Sequence, residues 1–263
     1  MIDLAVLAAI AANNQQEGSE VFMRRTASEY HPTLHLVATR RRETFPEIEA
    51  KEFWAAYDQT ISYSLVHATG FYNVYQSLAY IRDNRLPGDL VDCGCFLGGV
   101  SIFMKILMRD WGMNDRRVIL FDTFTGPPVG SKDTIIGGQP FQWNEALVNH
   151  REDTEQNIKE VLGSLDGFQI VEGFVEDTLP NTIFGDLALL RLDTDFYEST
   201  KIEFEILYPK LVDGGVVIVD DYGYFQGSRR ATDEYFASLD RPPLLNRIDQ
   251  GVWAGVKPAQ ARA

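Results

Sequence analysis

The sequence has little cysteine, since Cys93 and Cys95 are the only two among 263 residues. They stand two positions apart in a predicted strand end, so their side chains should point to opposite faces of a sheet. A disulfide framework is therefore not expected, and a reducing cytoplasm fits this usage better. A single C-x-C without further cysteine or paired histidine is also too little for a soft-metal site.

Long apolar runs and an excess of positive charge are missing as well. The apolar stretch from Leu4 to Ala12 is much shorter than the ~18 residues of a membrane span, and Asp3 stands where a signal peptide has positive charge. Lysine and arginine number 24 against 38 aspartate and glutamate, which gives a net charge of -14. We therefore expect neither a nucleic acid nor a membrane as the main partner.

Two common catalytic patterns are absent. No G-x-S-x-G occurs, so a nucleophile-elbow hydrolase has no support. The dinucleotide pattern G-x-G-x-x-G fails because Phe96 stands two positions after Gly94. Tyr197 and Lys201 have the Y-x-x-x-K spacing of short-chain dehydrogenases, and this remains an alternative that lacks the accompanying glycine pattern.

From residue 87 onward, short apolar runs alternate with amphipathic stretches, which predicts a βα series around a sheet covered on both faces. The predicted strands span residues 89–94, 117–124, 168–173, 187–193 and 216–221. Two closing apolar runs, separated by Gln250 and Gly251, predict an antiparallel hairpin. We expect one compact unit, with residues 1–80 as a helical N-terminal cap or lid and possible interface segment, and residues 81–263 as the core.

A glycine-rich turn follows the first predicted strand, with Asp92 before it and Gly94, Gly98 and Gly99 within it. Glycine lets the backbone approach a ligand closely, and the next helix offers free N–H groups. Asp92 suits an ammonium group, and Asp122 at the next strand end suits ribose hydroxyls, which together favour S-adenosylmethionine. The alternatives are a glycine selected for helix packing and an Asp122 that accepts from the Phe124 N–H.

Four carboxylates follow the next two strands, Asp193 and Asp195 after one, Asp220 and Asp221 after the other. Parallel strands place their carboxyl ends at one edge of the sheet, so these groups should converge. Without a nearby basic residue they must protonate or bind a cation, Mg²⁺ first and Ca²⁺ next. Alternatively, Asp195 caps a helix that begins near Phe196, and Asp221 orders the following turn.

Six ordered motifs resemble the macrocin O-methyltransferase family: GDLVDCGCFLGGVSIFMK, FDTFTGPP, GFVEDTLP, LRLDTDFYEST, LYPKLVDGGVVIVDDY and ATDEYF. The resemblance implies a Rossmann-like class I methyltransferase fold, with a mostly parallel seven-stranded sheet and an antiparallel C-terminal hairpin. It implies a divalent-metal-dependent enzyme that transfers a methyl group from S-adenosylmethionine to a hydroxyl of a sugar or glycosylated natural product. A fold that has lost catalysis and serves as a binding protein is the alternative.

The resemblance also implies roles for individual residues. Asp193, Asp220 and Asp221 would bind the metal ion, and Asp195 would act as general base, with Asp193 also counted as catalytic. The predicted cofactor-binding residues are Asp92, Cys93, Gly94, Cys95, Phe96, Gly98, Gly99, Asp122, Thr123 and Phe174. Phe141 and Trp143 of a long Gly- and Pro-rich loop are predicted to stack on the acceptor sugar, and a homo-oligomer is expected.

Overall fold

Short runs rich in valine, isoleucine and leucine form the strands, as a sheet buried on both faces requires. The computed structural model describes residues 45–126, 136 and 148–259. The strands are β1 Asp89–Cys93, β2 Val118–Asp122, β3 Phe168–Glu172, β4 Leu187–Leu192, β5 Leu211–Val219, β6 Asn246–Arg247 and β7 Trp253–Val256.

The strand order is β3-β2-β1-β4-β5-β7-β6. Strands β1 to β5 pair in parallel, whereas β7 runs antiparallel to β5 and β6 antiparallel to β7. The predicted seven-stranded sheet with an antiparallel closing hairpin is therefore confirmed. The register aligns Cys93 with Leu192, and Leu192 with Val219. Consequently, the residues that follow β1, β4 and β5 emerge side by side at one edge.

Helices cover both faces of the sheet. Their bounds are α1 Lys51–Thr60, α2 Ala68–Asp83, α3 Gly99–Asp110, α4 Arg151–Leu162, α5 Val175–Thr178, α6 Tyr197–Leu207 and α7 Gln226–Ala237. One buried apolar cluster joins α1, α2 and α3 to one face, and a second joins α6 and α7 to the other. Cys93 lies in the second cluster and Cys95 in the first, and both are free thiols, as their spacing predicts.

An aromatic group attaches the helices before β1 to the rest of the fold. Phe53 and Phe71 both contact Phe103 of α3 edge to face, with ring centroids 5.8 and 5.0 Å apart. Among the aromatic residues of 63–78, Tyr63 and Phe71 are buried and belong to the core. The domain boundary at residue 80 stays a prediction, and most of the proposed cap and interface segment, residues 1–44, lies outside the described residues.

Strand β5 differs from its predicted bounds, since it begins at Leu211 and not at Val216. The two glycines in this stretch suggest a turn, but the chain remains extended, with Gly214 in the left-handed region at φ 83°. A side chain at Gly214 would be strained there, so the residue type and the conformation agree. Within the described ranges, none of the helices has both the length and the apolar character needed to cross a bilayer.

Candidate functional site

The glycine-rich turn after β1 is shaped by close backbone contacts. Gly94 has φ 76°, and a methyl group on it would collide with the main-chain carbonyl of Asp193. Gly98, with φ 86°, precedes the first residue of α3. At Gly99 a Cβ atom would lie 2.7 Å from the Ser64 Cβ atom, which supports the packing alternative for this one glycine.

Phe96 occupies the position where the dinucleotide pattern has glycine, and it too lies in the left-handed region at φ 52°. Its N–H donates to Asp122 Oδ2 at 2.8 Å, and its carbonyl accepts from Asn149 Nδ2 and Thr154 Oγ1, both at 2.8 Å. These three bonds fix a conformation that L-residues rarely adopt. The turn is therefore held in shape by the chain itself.

Asp122 connects this turn to the end of β2. Besides Phe96, it accepts from the N–H of Phe124 at 2.9 Å, which is the contact that the alternative interpretation of this residue expects. Burial raises the pKa of Asp122 to about 6, although both backbone N–H groups act against this shift. Each oxygen keeps a second lone pair, so the ribose contact stays a prediction that these bonds do not oppose.

An open groove of about 740 Å³ runs along β3 and the residues that follow β2. Thr123 and Phe174 line it, together with Thr125, Arg151 and residues 169–173. Phe174 is 39% exposed at this groove. Two of the predicted cofactor residues thus share a concave surface of the size that small ligands occupy.

Asp92 lies beneath the turn and is fully buried. Its Oδ1 atom accepts from Arg191 Nη1 at 2.8 Å, and its Oδ2 atom accepts from Ser101 Oγ at 2.5 Å. Both oxygens therefore have donors within the protein. The predicted contact of Asp92 with the ammonium group of a cofactor stays a prediction, and in this arrangement the carboxylate first serves to hold Arg191.

Arg191 is the residue that sequence reasoning missed. It stands in β4 with its side chain 2% exposed, and its guanidinium contacts Asp92, Asp193 and Asp220. The Nε and Nη2 atoms reach Asp220 Oδ2 at 3.1 and 2.8 Å, and Nη2 also donates to Asp193. The expectation that no basic residue lies near the carboxylates was wrong, because Arg191 pairs in register with Asp92 and precedes Asp193 by two positions, on the same face of the sheet.

Asp193, Asp195 and Asp221 form a compact set that we name the acidic group. One carboxylate oxygen from each lies within 4.8 Å of the others. Burial raises the pKa of all three well above the ordinary value, and mutual repulsion adds to this effect, while Arg191 opposes it at Asp193. Three carboxylates at such spacing match the donor type and number that hard divalent cations bind.

The predicted ligand Asp220 is not part of the acidic group, since its Oδ2 atom is bonded to Arg191. Asp195, predicted as the base, is a member. The alternative in which Asp195 caps the following helix is wrong, because Phe196 is the N-cap residue of α6 and no side chain caps it. Asp195 instead donates its backbone N–H to Asp221 Oδ2 at 3.1 Å.

With this geometry established, comparisons with known proteins identify the family. The family model described as macrocin O-methyltransferase (TylF) matches residues 4–255. The chain belongs to the macrocin O-methyltransferase family. The resemblance drawn from the six motifs and the predicted class of O-methyltransferase are both confirmed.

Individual family members are similar over most of the chain. Demethyldecarbamoylnovobiocin O-methyltransferase of Streptomyces niveus is 35% identical over 181 residues, 68% of this chain and 69% of the relative. A rhamnosyl-tetracenomycin-C 4'-O-methyltransferase of Streptomyces olivaceus is 34% identical over 209 residues, 78% and 79% of the two chains. The solved structure of the O-methyltransferase NovP superposes with a TM-score of 0.68 at 32% identity, covering 75% of this chain and 83% of that one.

Glu203 is a second residue that the sequence did not single out. It lies on α6, fully buried beneath the acidic group, and its Oε1 atom accepts from Thr194 Oγ1 at 3.0 Å. Burial raises its pKa to about 8, so this carboxyl group is largely protonated at neutral pH. The sequence offered no clear signal for its burial, because its neighbours Ile202 and Phe204 are apolar and obscure which face of the helix Glu203 occupies.

The dehydrogenase alternative does not fit the family or the contacts of its tyrosine. The Tyr197 hydroxyl donates to Glu234 Oε2 of α7 at 2.6 Å, and the Arg230 guanidinium lies 3.8 Å from the ring centroid. The tyrosine is thus engaged in the contact between α6 and α7. Phe141 and Trp143, predicted to stack on a sugar, lie outside the described residues.

Proposed function

We propose that this chain transfers the methyl group of S-adenosylmethionine to a hydroxyl of a sugar or glycosylated natural product, assisted by a divalent cation. The observation that supports this most strongly is the position of the acidic group. It lies at the same edge as the glycine-rich turn, and Gly94 packs directly against the Asp193 carbonyl. A methyl donor in the turn and an acceptor at the carboxylates would then be neighbours.

The chemistry of the donor set fits a cation such as Mg²⁺. Three carboxyl groups, Asp92, Asp193 and Asp220, contact the Arg191 guanidinium, and two more, Asp195 and Asp221, lie close to Asp193. Arg191 balances the charge of one of them, and the rest repel one another in a buried setting. All candidate ligand atoms in the acidic group are oxygens, which Mg²⁺ and Ca²⁺ prefer over softer metals.

The residues would divide the work as follows. Asp193 and Asp221, common to the predicted ligand set and the acidic group, would hold the cation. When bound, the cation lowers the pKa of a coordinated sugar hydroxyl, much as it does for water. Asp195, at the edge of the group, would accept the hydroxyl proton, and the turn would align the methyl group for in-line attack. Asp220 would keep Arg191 in place or join the ligands.

The acceptor class follows from the relatives. Those from Streptomyces niveus and Streptomyces olivaceus are named as O-methyltransferases of demethyldecarbamoylnovobiocin and of a rhamnosyl tetracenomycin-C. A glycosylated natural product is therefore the substrate class that we propose. Phe174 and the open groove would bind the cofactor, with Thr123 beside them.

The direct test incubates the purified full chain with S-adenosylmethionine and a panel of deoxysugar glycosides, with Mg²⁺ or with EDTA. We expect methyl transfer that EDTA removes and Mg²⁺ restores. Asp221→Asn should reduce the rate at least ~100-fold, because one buried ligand is lost, whereas Asp240→Asn at an exposed position should not change it. Full activity of Asp221→Asn, or transfer unaffected by EDTA, would contradict the cation-assisted mechanism.

A binding measurement separates the catalytic proposal from its alternative. S-adenosylhomocysteine should raise the melting temperature, and Mg²⁺ should raise it further through binding linkage. Stabilisation by both ligands without transfer to any acceptor would favour the binding protein that has lost catalysis. Besides Asp193 and Asp221, either Asp195 or Asp220 could contribute a third carboxylate to the cation. Mn²⁺ titration of Asp195→Asn and Asp220→Asn distinguishes them, since only loss of a true ligand should weaken Mn²⁺ binding strongly.

A further inference from the structure

Asp195 lies in an unusual backbone conformation. Its φ is 69°, and the Phe196 N–H donates to the Thr194 carbonyl at 2.8 Å across it. A hydrogen bond from residue i+2 to residue i around a residue of positive φ defines the rare, strained form of the γ-turn. Residues 194–196 are here named the Asp195 turn. Such strain persists only where surrounding contacts enforce it.

The enforcing contacts come from helix α6. Glu203 Oε1 accepts from Thr194 Oγ1 at 3.0 Å, and Ser199 Oγ donates to the Thr194 carbonyl at 3.2 Å. The side chains of Glu203 and Thr194 are thus hydrogen-bonded to each other. Ser199 bonds to the Thr194 carbonyl, which also accepts the Phe196 N–H in the turn. On the opposite side, Asp221 Oδ2 accepts the Asp195 N–H at 3.1 Å. Thr194 is therefore fixed at two points and Asp195 at a third.

The burial of Glu203 indicates that this arrangement has a cost. The side chain has 0% exposure and stands in the apolar layer under the sheet edge, where a leucine would pack without desolvating a carboxyl group. The hydrogen bond from Thr194 and the weak interaction with the Cys93 thiol offset only part of that cost. A buried polar group that does little for stability, and that orients a strained residue at a site, fits a functional role better than a structural one.

We propose that Glu203 is a positioning residue, which acts through Thr194 to hold the Asp195 turn so that the Asp195 carboxylate faces Asp193 and Asp221. This inference rests on the proposed function only in the role of Asp195 as the base, and the positioning of Asp195 is independent of it. Glu203 shares no hydrogen bond with the acidic group, although its charge would act on Asp195. Its effect on the geometry of the site should therefore pass through Thr194.

The first test needs neither cation nor activity. Asp195→Gly removes the penalty of the positive φ, because glycine adopts this region freely. We expect it to raise the melting temperature by about 3 °C or more in the wild-type background. In a Thr194→Val background, where the turn can relax, the same change should give a clearly smaller gain. The matched control is a Thr232→Val background, because Thr232 is a buried threonine of α7 that is bonded to Ser228 and lies outside the turn. In this background Asp195→Gly should raise the melting temperature as much as in wild type. Equal gains in all three backgrounds would overturn the proposal.

The second test measures Mn²⁺ binding to the full chain by calorimetry, without substrate. Glu203→Leu and Thr194→Val should each raise Kd about tenfold, and the double variant should raise it no further, since both break the same bond. Glu203→Gln keeps an acceptor oxygen and should bind as the wild type does. Additive losses, or a Gln variant as weak as the Leu variant, would overturn the proposal. If the wild-type chain binds no Mn²⁺, the proposed cation site is contradicted. The melting-temperature test would then still decide whether Thr194 holds the Asp195 turn.

Discussion

The two halves of the sheet edge manage buried charge in opposite ways. At the ends of β1 and β2, Asp92 and Asp122 each have protein donors on both oxygens. At the ends of β4 and β5, Asp195 and Asp221 are close to other carboxylates, and burial raises the pKa of both. In the first half, hydrogen-bond donors of the protein itself satisfy the carboxylates. In the second half, the excess negative charge is balanced only by protons or by a cation. Arg191 lies between them and contacts both.

The largest effect should come from removing the residue that joins the two halves. Arg191→Met leaves Asp92, Asp193 and Asp220 without their shared guanidinium. We expect the free energy of unfolding at pH 7 to fall by about 3–5 kcal/mol, because unpaired buried charges remain. This decrease in the free energy of unfolding is measured by urea denaturation. Arg230→Met, an exposed arginine 3.7 Å from Glu234, is the control and should change stability by less than ~0.5 kcal/mol.

The backbone contact between the two halves can be tested at Gly94. Gly94→Ala combines the cost of φ 76° with a collision against the Asp193 carbonyl, so we expect a loss of about 3 kcal/mol. Gly112→Ala is the matched control, because Gly112 has φ 73° with nothing within 4 Å of an added Cβ. For Gly112→Ala the free energy of unfolding should fall by ~1 kcal/mol, because only the backbone strain acts there. Equal losses at both positions would show that the contact with β4 is unimportant.

Neutralising one carboxylate in each half should change stability in opposite directions. Asp92→Asn weakens the bond to Arg191 and should lower the free energy of unfolding by about 2 kcal/mol. Asp221→Asn keeps an acceptor for the Asp195 N–H and removes a repelled charge, so stability at pH 7 should rise by about 1 kcal/mol. Thermal unfolding with EDTA present measures both. The same sign for the two variants would end the distinction between the halves.

The last prediction is a gradual change of stability with pH, which is small for any one pH unit. The folded pKa of Glu203 is about 8 against a model value of 4.5, raised by burial and by Glu176, with Thr194 and Cys93 acting against the shift. The folded protein therefore binds this proton more tightly than the unfolded chain. The stabilisation is fully present below the unfolded pKa and disappears as pH rises through 8.

For wild type, this group should contribute a decrease of ~1 kcal/mol per pH unit between pH 5 and 8. Glu203→Gln should flatten that part of the curve, as measured by urea unfolding at several pH values. Glu205→Gln, one helix position away from the buried face and exposed, should leave the slope as it is. A slope that Glu203→Gln does not change would mean that Glu203 is ionised in the folded protein.

Sequence patterns predicted the sheet better than the site. Apolar runs and glycine positions are local signals, so strands β1 to β4 and the closing hairpin could be placed from the sequence, whereas β5 was cut short at its glycines. Arg191 was missed because a single charge inside LLRLD resembles a strand-end residue. A buried arginine requires carboxylates, and that requirement is a usable signal.

Two further features were beyond pattern reasoning for a physical reason. The positive φ of Asp195 is held in part by the bond that its N–H donates to Asp221, a contact between elements that are distant in the sequence. Which carboxylates face Arg191 and which face one another depends on side-chain rotamers at the sheet edge. The sequence therefore predicts that the four aspartates converge, and the structure adds how they are divided.

The strand order also determines when the site can exist during folding. Residues 92–94, 193–195 and 220–221 become neighbours only after β1 has paired with β4 and β4 with β5, each across a long parallel crossover. Such non-local pairing closes large loops and is intrinsically slow. A chain still emerging from the ribosome can therefore form helices α1 to α3 early, but the acidic group can assemble only after Asp221 has been synthesised and β5 has joined the sheet.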